Sequence, residues 1–590
     1  MKDRRSHKGL YDYAGRHKYL TFAGMALSGI SALLALVPFI YIWLIIRDVL
    51  GALPDAASAG GLAHYGWMAV LFAALSVLVY VGGLMCTHIA AFRVASNIRK
   101  QTLEHVAKLP VGAFDALGSG KVRKIIDESS AATETHLAHN LPDMVGSVVT
   151  PVAMIALMFT FDWRLGAASL FPILCAFLVM KRMTGKRMEE KMRQYQDALA
   201  DMNNEAVEYV RGVPVVKTFG QTVFSFARFK ASIDRYHKWV VAYTKQLRQP
   251  MMFFTLFIDN IFAFLIAVAL LLVGRGPADP AFVVDLIFYI IFTPILVVML
   301  NRIMYASENN MIVTDSLDRI NSILDIKPLP EPEAPRIPAD NSVELKEVRF
   351  RYPNADRDAL RGVSLRIEPG QTVALVGGSG GGKTTVAGLI SRFWDVTSGE
   401  ILIGGVNVKE ISKAELMRQV AYVFQDSRLL KTSILENVRL SRPDAPREKV
   451  LEALKLAQCS DILEKLPEGA DTVIGKEGVY LSGGEQQRIA IARAILKDAP
   501  IVVLDEATAF ADAENEHMVQ LAFEQLTKGK TVLMIAHRLS TVVHADCIFV
   551  LEEGMLTERG RHAELVGKEG VYARMWREYQ TSVAWKVKEA

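Results

Sequence analysis

TVALVGGSGGGKTT, Thr372–Thr385, joins five strand-forming residues to a glycine loop that ends in Lys-Thr-Thr. Gly377, Gly382, Lys383 and Thr384 fall at the spacing G-x-x-x-x-G-K-[ST]. Glycines at these places let the backbone curl so that its N–H groups face phosphate oxygens, while Lys383 reaches the β- and γ-phosphates and Thr384 is placed to ligate Mg²⁺. A strand before the loop and the helix-compatible VAGLISRFW after it supply the context the motif requires. Gly377, Gly378, Ser379, Gly380, Gly381, Gly382, Lys383, Thr384 and Thr385 are the expected phosphate contacts. Strand, loop and helix make one unit of a parallel α/β sheet, and IVVLDE and TVLMIA add strands of the same kind.

Further along, IVVLDEAT delivers Asp505 and Glu506 to the carboxyl edge of that sheet, where α/β folds bind ligands. Asp505 is suited to the Mg²⁺ shell and Glu506 to orienting or deprotonating an attacking water. Without a phosphate loop such a pair would read as a solvated turn. His537 ends the apolar run TVLMIAH and Gln425 follows VAYVF; taken singly, each reads as a satisfied hydrogen-bonding residue. The stretch LSGGEQQRIAIARA, Leu481–Ala494, opens a helix-like run with Ser-Gly-Gly, whose first N–H groups form a second phosphate-holding feature about a hundred residues after the first.

The N-terminal half has another character. Hydrophobic residues make up 51% of the 590, and long apolar runs lie near Leu20–Ile46, Trp67–Ala91, Met144–Phe161, Leu165–Val179, Met251–Val273 and Ala281–Leu300. Each approaches the roughly 20 residues a helix needs to cross a bilayer. Lys and Arg gather at Lys2–Lys18, Arg93–Lys124, Lys181–Arg193 and after Arg302, whereas Gly51–Gly66 has none. The positive-inside rule then places both termini and the nucleotide-binding half in the cytosol, with six spans in the plasma (inner) membrane. The polar first 19 residues and the length of the run after them speak against a cleaved signal. Arg93–Leu141 and Lys181–Arg248 read as cytosolic helical hairpins, broken near Pro110–Gly120 and Gly212–Gly220, whose tips are placed to touch a cytosolic domain. KPLPEPEAPRIP, Lys327–Pro338, reads as an extended tether. The expected division is 1–325 membrane domain, 326–341 linker and 342–590 nucleotide-binding domain.

A net charge of +4 with no basic stripe argues against a nucleic-acid partner. The four cysteines, Cys86, Cys175, Cys459 and Cys547, are far apart without metal-ligand spacing and read as free thiols.

Taken together, Tyr352 in FRYP, the phosphate loop, Gln425 in FQD, TVIGKEG at Thr472–Gly478, LSGGEQQR, LDEAT and AHR resemble, in order and spacing, the ATP-binding cassette (ABC) family. The six spans with long inside loops are similar to half-transporters of the exporter-type (type IV) membrane fold. The resemblance implies ATP and Mg²⁺ as cofactors. Tyr352 would stack on adenine, Gln425 would sense Mg²⁺ and water, Glu506 would be the catalytic carboxylate, and His537 would contact the γ-phosphate. Ser482, Gly483, Gly484, Glu485 and Asp512 would face the phosphate loop of a second half-transporter, the same chain or a different one, so that each ATP lies between two subunits. Glu485 stands where glutamine is commoner, with a carboxylate that suits a helix start. AFAD at Ala509–Asp512 replaces the usual SALD.

His88, Asp259, Asn260, Asp285 and Asn301 fall within or at the ends of the spans and need a cavity or a partner. His88, Asp259, Asn260 and Asn301 are the candidate substrate-cavity residues, with span-to-span hydrogen bonding as the competing reading. EYVRGVPVVKTFGQTVFSF, EATAFADAENE and YARMWREYQTSVAWK resemble a bacterial subgroup that contains siderophore importers. Uptake of an iron-siderophore, export of lipid, drug or peptide, and an ATP-gated regulatory membrane protein without transport all stand as readings, with membrane lipid as a partner throughout.

Overall fold

The computed structural model describes residues 8–53, 55, 59–183, 186–218, 227–273, 280–353, 355–425, 427–475, 480–505, 513–536 and 538–588. The chain divides into two compact units, Met1–Val106 with Val122–Asp325, and Ala107–Lys121 with Ile326–Ala590.

The first unit is helical. Leu10–Gly51, Leu62–Lys108, Ser119–Phe161, Trp163–Lys181 and Pro280–Asn301 are long and apolar enough to cross a membrane, and Ala227–Asp259 with Ile261–Val273 passes as a pair bent by 47°. Small residues let the first two spans approach closely. A Cβ on Gly24 would sit 2.4 Å from the Thr87 methyl carbon, and the Ser31 hydroxyl donates to the Ser76 carbonyl at 2.8 Å. Tight packing of this kind, not exclusion of water, drives helix association in lipid. The later spans share a core of Met154, Met158, Leu165, Phe254, Ile258, Ile261, Phe288 and Phe292. Its aromatic centre has Phe161 4.6 Å and Phe292 4.9 Å from Phe288 between ring centroids.

Two inside-loop features add detail to the sequence expectation. The first break forms its own short helix, Val111–Leu117, which belongs to the second unit. In the other loop the helix Lys186–Thr218 runs on through Gly212 and Pro214. Proline removes a single backbone donor and disturbs only the turn before it, so Pro214 does not by itself end the helix, which closes at Thr218.

The second unit holds two sheets. Strands β1 (Val343–Phe350), β2 (Leu360–Ile367), β4 (Ser398–Ile403) and β5 (Val406–Asn407) form an antiparallel sheet in the order β2-β1-β4-β5. Strands β3 (Thr372–Val376), β6 (Val420–Val423), β7 (Ile501–Asp505), β8 (Thr531–Ile535), β9 (Cys547–Glu552) and β10 (Met555–Gly560) form the other, ordered β10-β9-β3-β8-β7-β6. β6, β7, β8, β3 and β9 run parallel, so their carboxyl ends share one edge. β7 is buried along its whole length, as its unbroken apolar run requires.

The proline-rich segment is not a free tether. The Arg336 N–H donates to the Glu410 carbonyl at 2.9 Å, its guanidinium pairs with the Glu410 carboxylate, and Arg392 donates to the Pro330 carbonyl at 2.9 Å. Proline keeps the strap extended without intrastrand bonds, which leaves its carbonyls for the surface beneath it.

Candidate functional site

β3 ends at Val376 and the chain turns at once into the phosphate loop. Gly377 has φ +145°, and a Cβ there would lie 2.0 Å from the Leu551 carbonyl oxygen on β9, so only glycine fits. Gly380 and Gly382 also have positive φ, +78° and +98°, and Gly382 caps the helix Lys383–Ile390 in the left-handed conformation. Gly378, Ser379 and Gly380 are exposed, as a loop that wraps a ligand must be. Lys383 is only 5% exposed, and its ammonium donates to the carbonyls of Gly377 at 2.9 Å and Gly378 at 3.0 Å. The cation is therefore held inside the loop it serves.

One strand, β8, separates β3 from β7, so Asp505 reaches the same edge. Asp505 is buried, the Thr384 hydroxyl lies 3.5 Å from one of its oxygens, and the Tyr422 hydroxyl donates to the other at 3.0 Å. This all-oxygen donor set fits Mg²⁺, which takes one or two protein oxygens and completes its shell with water and phosphate. Gln425 is exposed just beyond β6. Tyr422 was not singled out in the sequence; its signal was its place in VAYVF, one residue before the end of a strand paired with β7.

Tyr352 is half-buried, stands edge-on to Phe350 at 4.8 Å and to Trp394 at 6.1 Å, and exchanges a 2.9 Å hydrogen bond with the Thr385 hydroxyl. Thr385 therefore orients the tyrosine, and its hydroxyl is spoken for. Trp394 has a second role. A Cβ on Gly112 would lie 2.0 Å from its ring, so the first inside-loop tip seats against the same tryptophan.

The LSGGEQQR segment opens the helix Gly483–Lys497 with Ser482 as N-cap. Its first N–H groups are not all bare, as the sequence reading had it. The Ser482 hydroxyl accepts from the Glu485 N–H at 3.3 Å, and the Glu485 carboxylate accepts from the Ser482 N–H at 2.7 Å. This reciprocal capping box explains a glutamate at the fifth position more fully than the helix dipole does. Ser482 and Gly483 remain exposed, while Gly484 is buried against Asn515.

Arg488 anchors the helix. It is 1% exposed and pairs with Asp461 at 2.7 Å, also donating to the Gln458 carbonyl and to Asn515. Burial pushes the Asp461 carboxyl up, but the Arg488 hydrogen bonds and charge outweigh it and hold the carboxyl below its usual range. Next to it, burial pushes the Cys459 thiol up to about 12, so the thiol stays protonated. All four cysteines are free.

Glu506, Ala509–Asp512 and His537 lie outside the described residues, as does Lys476–Gly478 of TVIGKEG. The membrane candidates are scattered. His88 is half-buried with its ring 4.7 Å from that of His139, Asn301 is half-buried, Asp259 and Asn260 are exposed, and Asp285 accepts from the Trp43 indole at 2.9 Å. Among the described residues no group of three or more His, Cys, Asp or Glu is placed to hold a metal ion.

Residues 360–509 match the family model described as ABC transporter, and residues 25–295 match the ABC transporter transmembrane region. The mycobactin import ATP-binding/permease protein IrtA of Mycolicibacterium smegmatis is 35% identical over 553 residues, which cover 93% of this chain and 63% of that protein. The chain spans 61–64% of the length of three such mycobactin import relatives. An ATP-dependent lipid A-core flippase of Photobacterium profundum is 33% identical over 85% of this chain and 86% of its own length. A multidrug export ATP-binding/permease protein of Bacillus subtilis, YgaD, named as putative, is 32% identical over 82% and 84%. A helical membrane domain fused to an α/β phosphate-loop domain, matched along nearly its whole length by such relatives, belongs to the ABC transporter family.

Proposed function

We propose that this chain is one half of a dimeric ATP-driven transporter that carries a solute across the plasma membrane by alternating access. The observation that carries the reading is the convergence, at one sheet edge, of a glycine cradle, a buried lysine and the Thr384–Asp505 oxygen pair. ATP enters with its phosphates on the loop N–H groups, and Lys383 exchanges the carbonyls of Gly377 and Gly378 for phosphate oxygens. Tyr352, held by Thr385, presents its ring to the base. Mg²⁺, when bound through Thr384 and Asp505 beside Gln425, neutralises charge on the phosphates. Glu506 orients or deprotonates the attacking water and His537 steadies the γ-phosphate, roles that rest on the sequence resemblance. Preorganised charge of this kind supplies most of the rate of phosphoryl transfer.

The exposed Ser482 and Gly483 reach the ATP of a second half-transporter, together with Gly484, Glu485 and Asp512. Both termini and the nucleotide-binding domain lie in the cytosol, six spans cross the membrane, and the domains divide at 325 and 341. ATP draws the nucleotide-binding domains together, hydrolysis releases them, and the inside-loop tips pass the motion to the spans.

The solute we favour is an iron-siderophore, supported by the mycobactin import relatives and by the subgroup resemblance in EYVRGVPVVKTFGQTVFSF. Export of lipid, drug or peptide is the second reading, favoured by flippase relatives matched over 82–88% of their own length. Purified complex in liposomes separates them. ATP-dependent movement of a ferric chelate toward the side bearing the nucleotide-binding domains supports uptake, and movement of lipid or drug the opposite way supports export. Hydrolysis with no movement of either would overturn both.

A further inference from the structure

The fifth apolar segment is broken partway along its length. Ala227–Asp259 and Ile261–Val273 meet at 47° with Asn260 between them. Pro250 lies ten residues too early to cause the bend, since proline disturbs only its own preceding turn. The side-chain amide of Asn260 donates to the Leu256 carbonyl at 2.8 Å, and its backbone carbonyl accepts from the Phe264 N–H at 3.2 Å. Asn260 thus closes one half-helix and opens the next.

The two faces of the break differ. Phe254, Ile258, Ile261 and Leu265 are at most 3% exposed in the core of the membrane unit, whereas Met252, Leu256, Asp259 and Asn260 are exposed. Asp259 lies eight residues into a span that starts at Met251, about 12 Å along the helix, well inside a hydrocarbon layer about 30 Å thick. A carboxylate at that depth does not face lipid, and broken backbone at membrane depth occurs where it lines a watery cavity or is buried in protein.

Asp259 also stands apart from the other carboxylates placed in or beside the apolar runs. Asp48 pairs with Arg47, Asp143 accepts from the Tyr80 hydroxyl, Asp162 pairs with Arg164, and Asp285 accepts from the Trp43 indole. Among the described residues Asp259 has no hydrogen-bond or ion-pair partner. It sits at the carboxyl end of a half-helix, where the backbone dipole adds negative charge.

We propose that Asp259 recognises a cationic group on the transported solute, with Met252 and Leu256 on the same face meeting its apolar body. The inference rests on the transport reading and narrows its solute to an amphipathic organic cation, a class that includes iron chelates with a protonated amine.

The test uses the full complex in detergent and two probes of similar shape, tetraphenylphosphonium and neutral triphenylphosphine oxide, in equilibrium dialysis. Asp259→Asn is expected to weaken phosphonium binding about tenfold or more, to leave the neutral probe unchanged, and to be rescued by Asp259→Glu. Equal loss of both probes, no loss of either, or a wild-type complex that does not prefer the cation would overturn the proposal. So would an Asp259→Asn chain that no longer forms the dimer by native mass, which would assign the carboxylate to a subunit contact. Failure of the transport reading is seen separately, as wild-type complex that moves no solute in liposomes while it hydrolyses ATP.

Discussion

Replacing Gly377 by alanine tests the phosphate loop at its tightest point. The new methyl would lie 2.0 Å from the Leu551 carbonyl oxygen, where ordinary contact begins near 3.4 Å, so loop or strand has to move by about 1.4 Å. β9 cannot yield easily, because Val376 is in register with Val550 and both are fully buried. The loop moves instead. Overpacking costs about 1–3 kcal/mol, and alanine at φ +145° adds about 1–3 kcal/mol of backbone strain. Taking about 3 kcal/mol together, and tenfold for each 1.4 kcal/mol, ATP affinity falls about 100-fold. Titration of a fluorescent ATP analogue into full-length protein measures this directly. Gly378→Ala is the control, since a Cβ there meets nothing within 4 Å, and it should keep affinity within about threefold. Wild-type affinity in Gly377→Ala, or an equal loss in Gly378→Ala, would refute the reasoning.

Lys383→Ala removes the cation that the loop encloses and should lower phosphate release about 10²–10³-fold, with a melting temperature close to wild type. Arg488→Met removes the guanidinium that Asp461, Asn515 and the Gln458 carbonyl share, leaving Asp461 the longer 3.9 Å pair with Lys465; it should cost about 3 kcal/mol, the low end for a broken buried pair because Asp461 keeps some hydration, read as lost thermal stability. The Asp461 carboxyl has a depressed folded value, so its contribution is complete above the unfolded value of about 3.9 and fades as pH falls through the lower folded one. Asp461→Asn should therefore melt below wild type equally at pH 7 and pH 5, and the gap should close only in stronger acid. Gly112→Ala drives a methyl into Trp394; hydrogen exchange across Val111–Leu117 should speed up, and unchanged protection would show that the tip is not seated there.

Much of the nucleotide site was legible because its chemistry demands unusual residues in fixed order. A loop with φ near +145° and +98° admits only glycine, and a strand buried along its whole length has to be an unbroken apolar run such as IVVLD. Contacts made through tertiary register were not legible. Tyr422 meets Asp505 only because β6 lies beside β7, and Trp394 meets Gly112 from nearly three hundred residues away in sequence. The capping box was written in Ser482-x-x-Glu485, although only the dipole was read from it. In the membrane unit, the π-helical turn His136–Asn140 and the break at Asn260 follow from backbone bonds that apolar periodicity does not encode.

The shared ATP site is tested most directly by counting chains. Complex taken from its own host can be reconstituted into nanodiscs, sorted by native mass into discs with one and with two half-transporters, and assayed for phosphate release per chain. The account predicts that two-chain discs hydrolyse ATP while one-chain discs fall to background, because Ser482 of one chain then has no phosphate loop to meet. Equal rates per chain in both would contradict it.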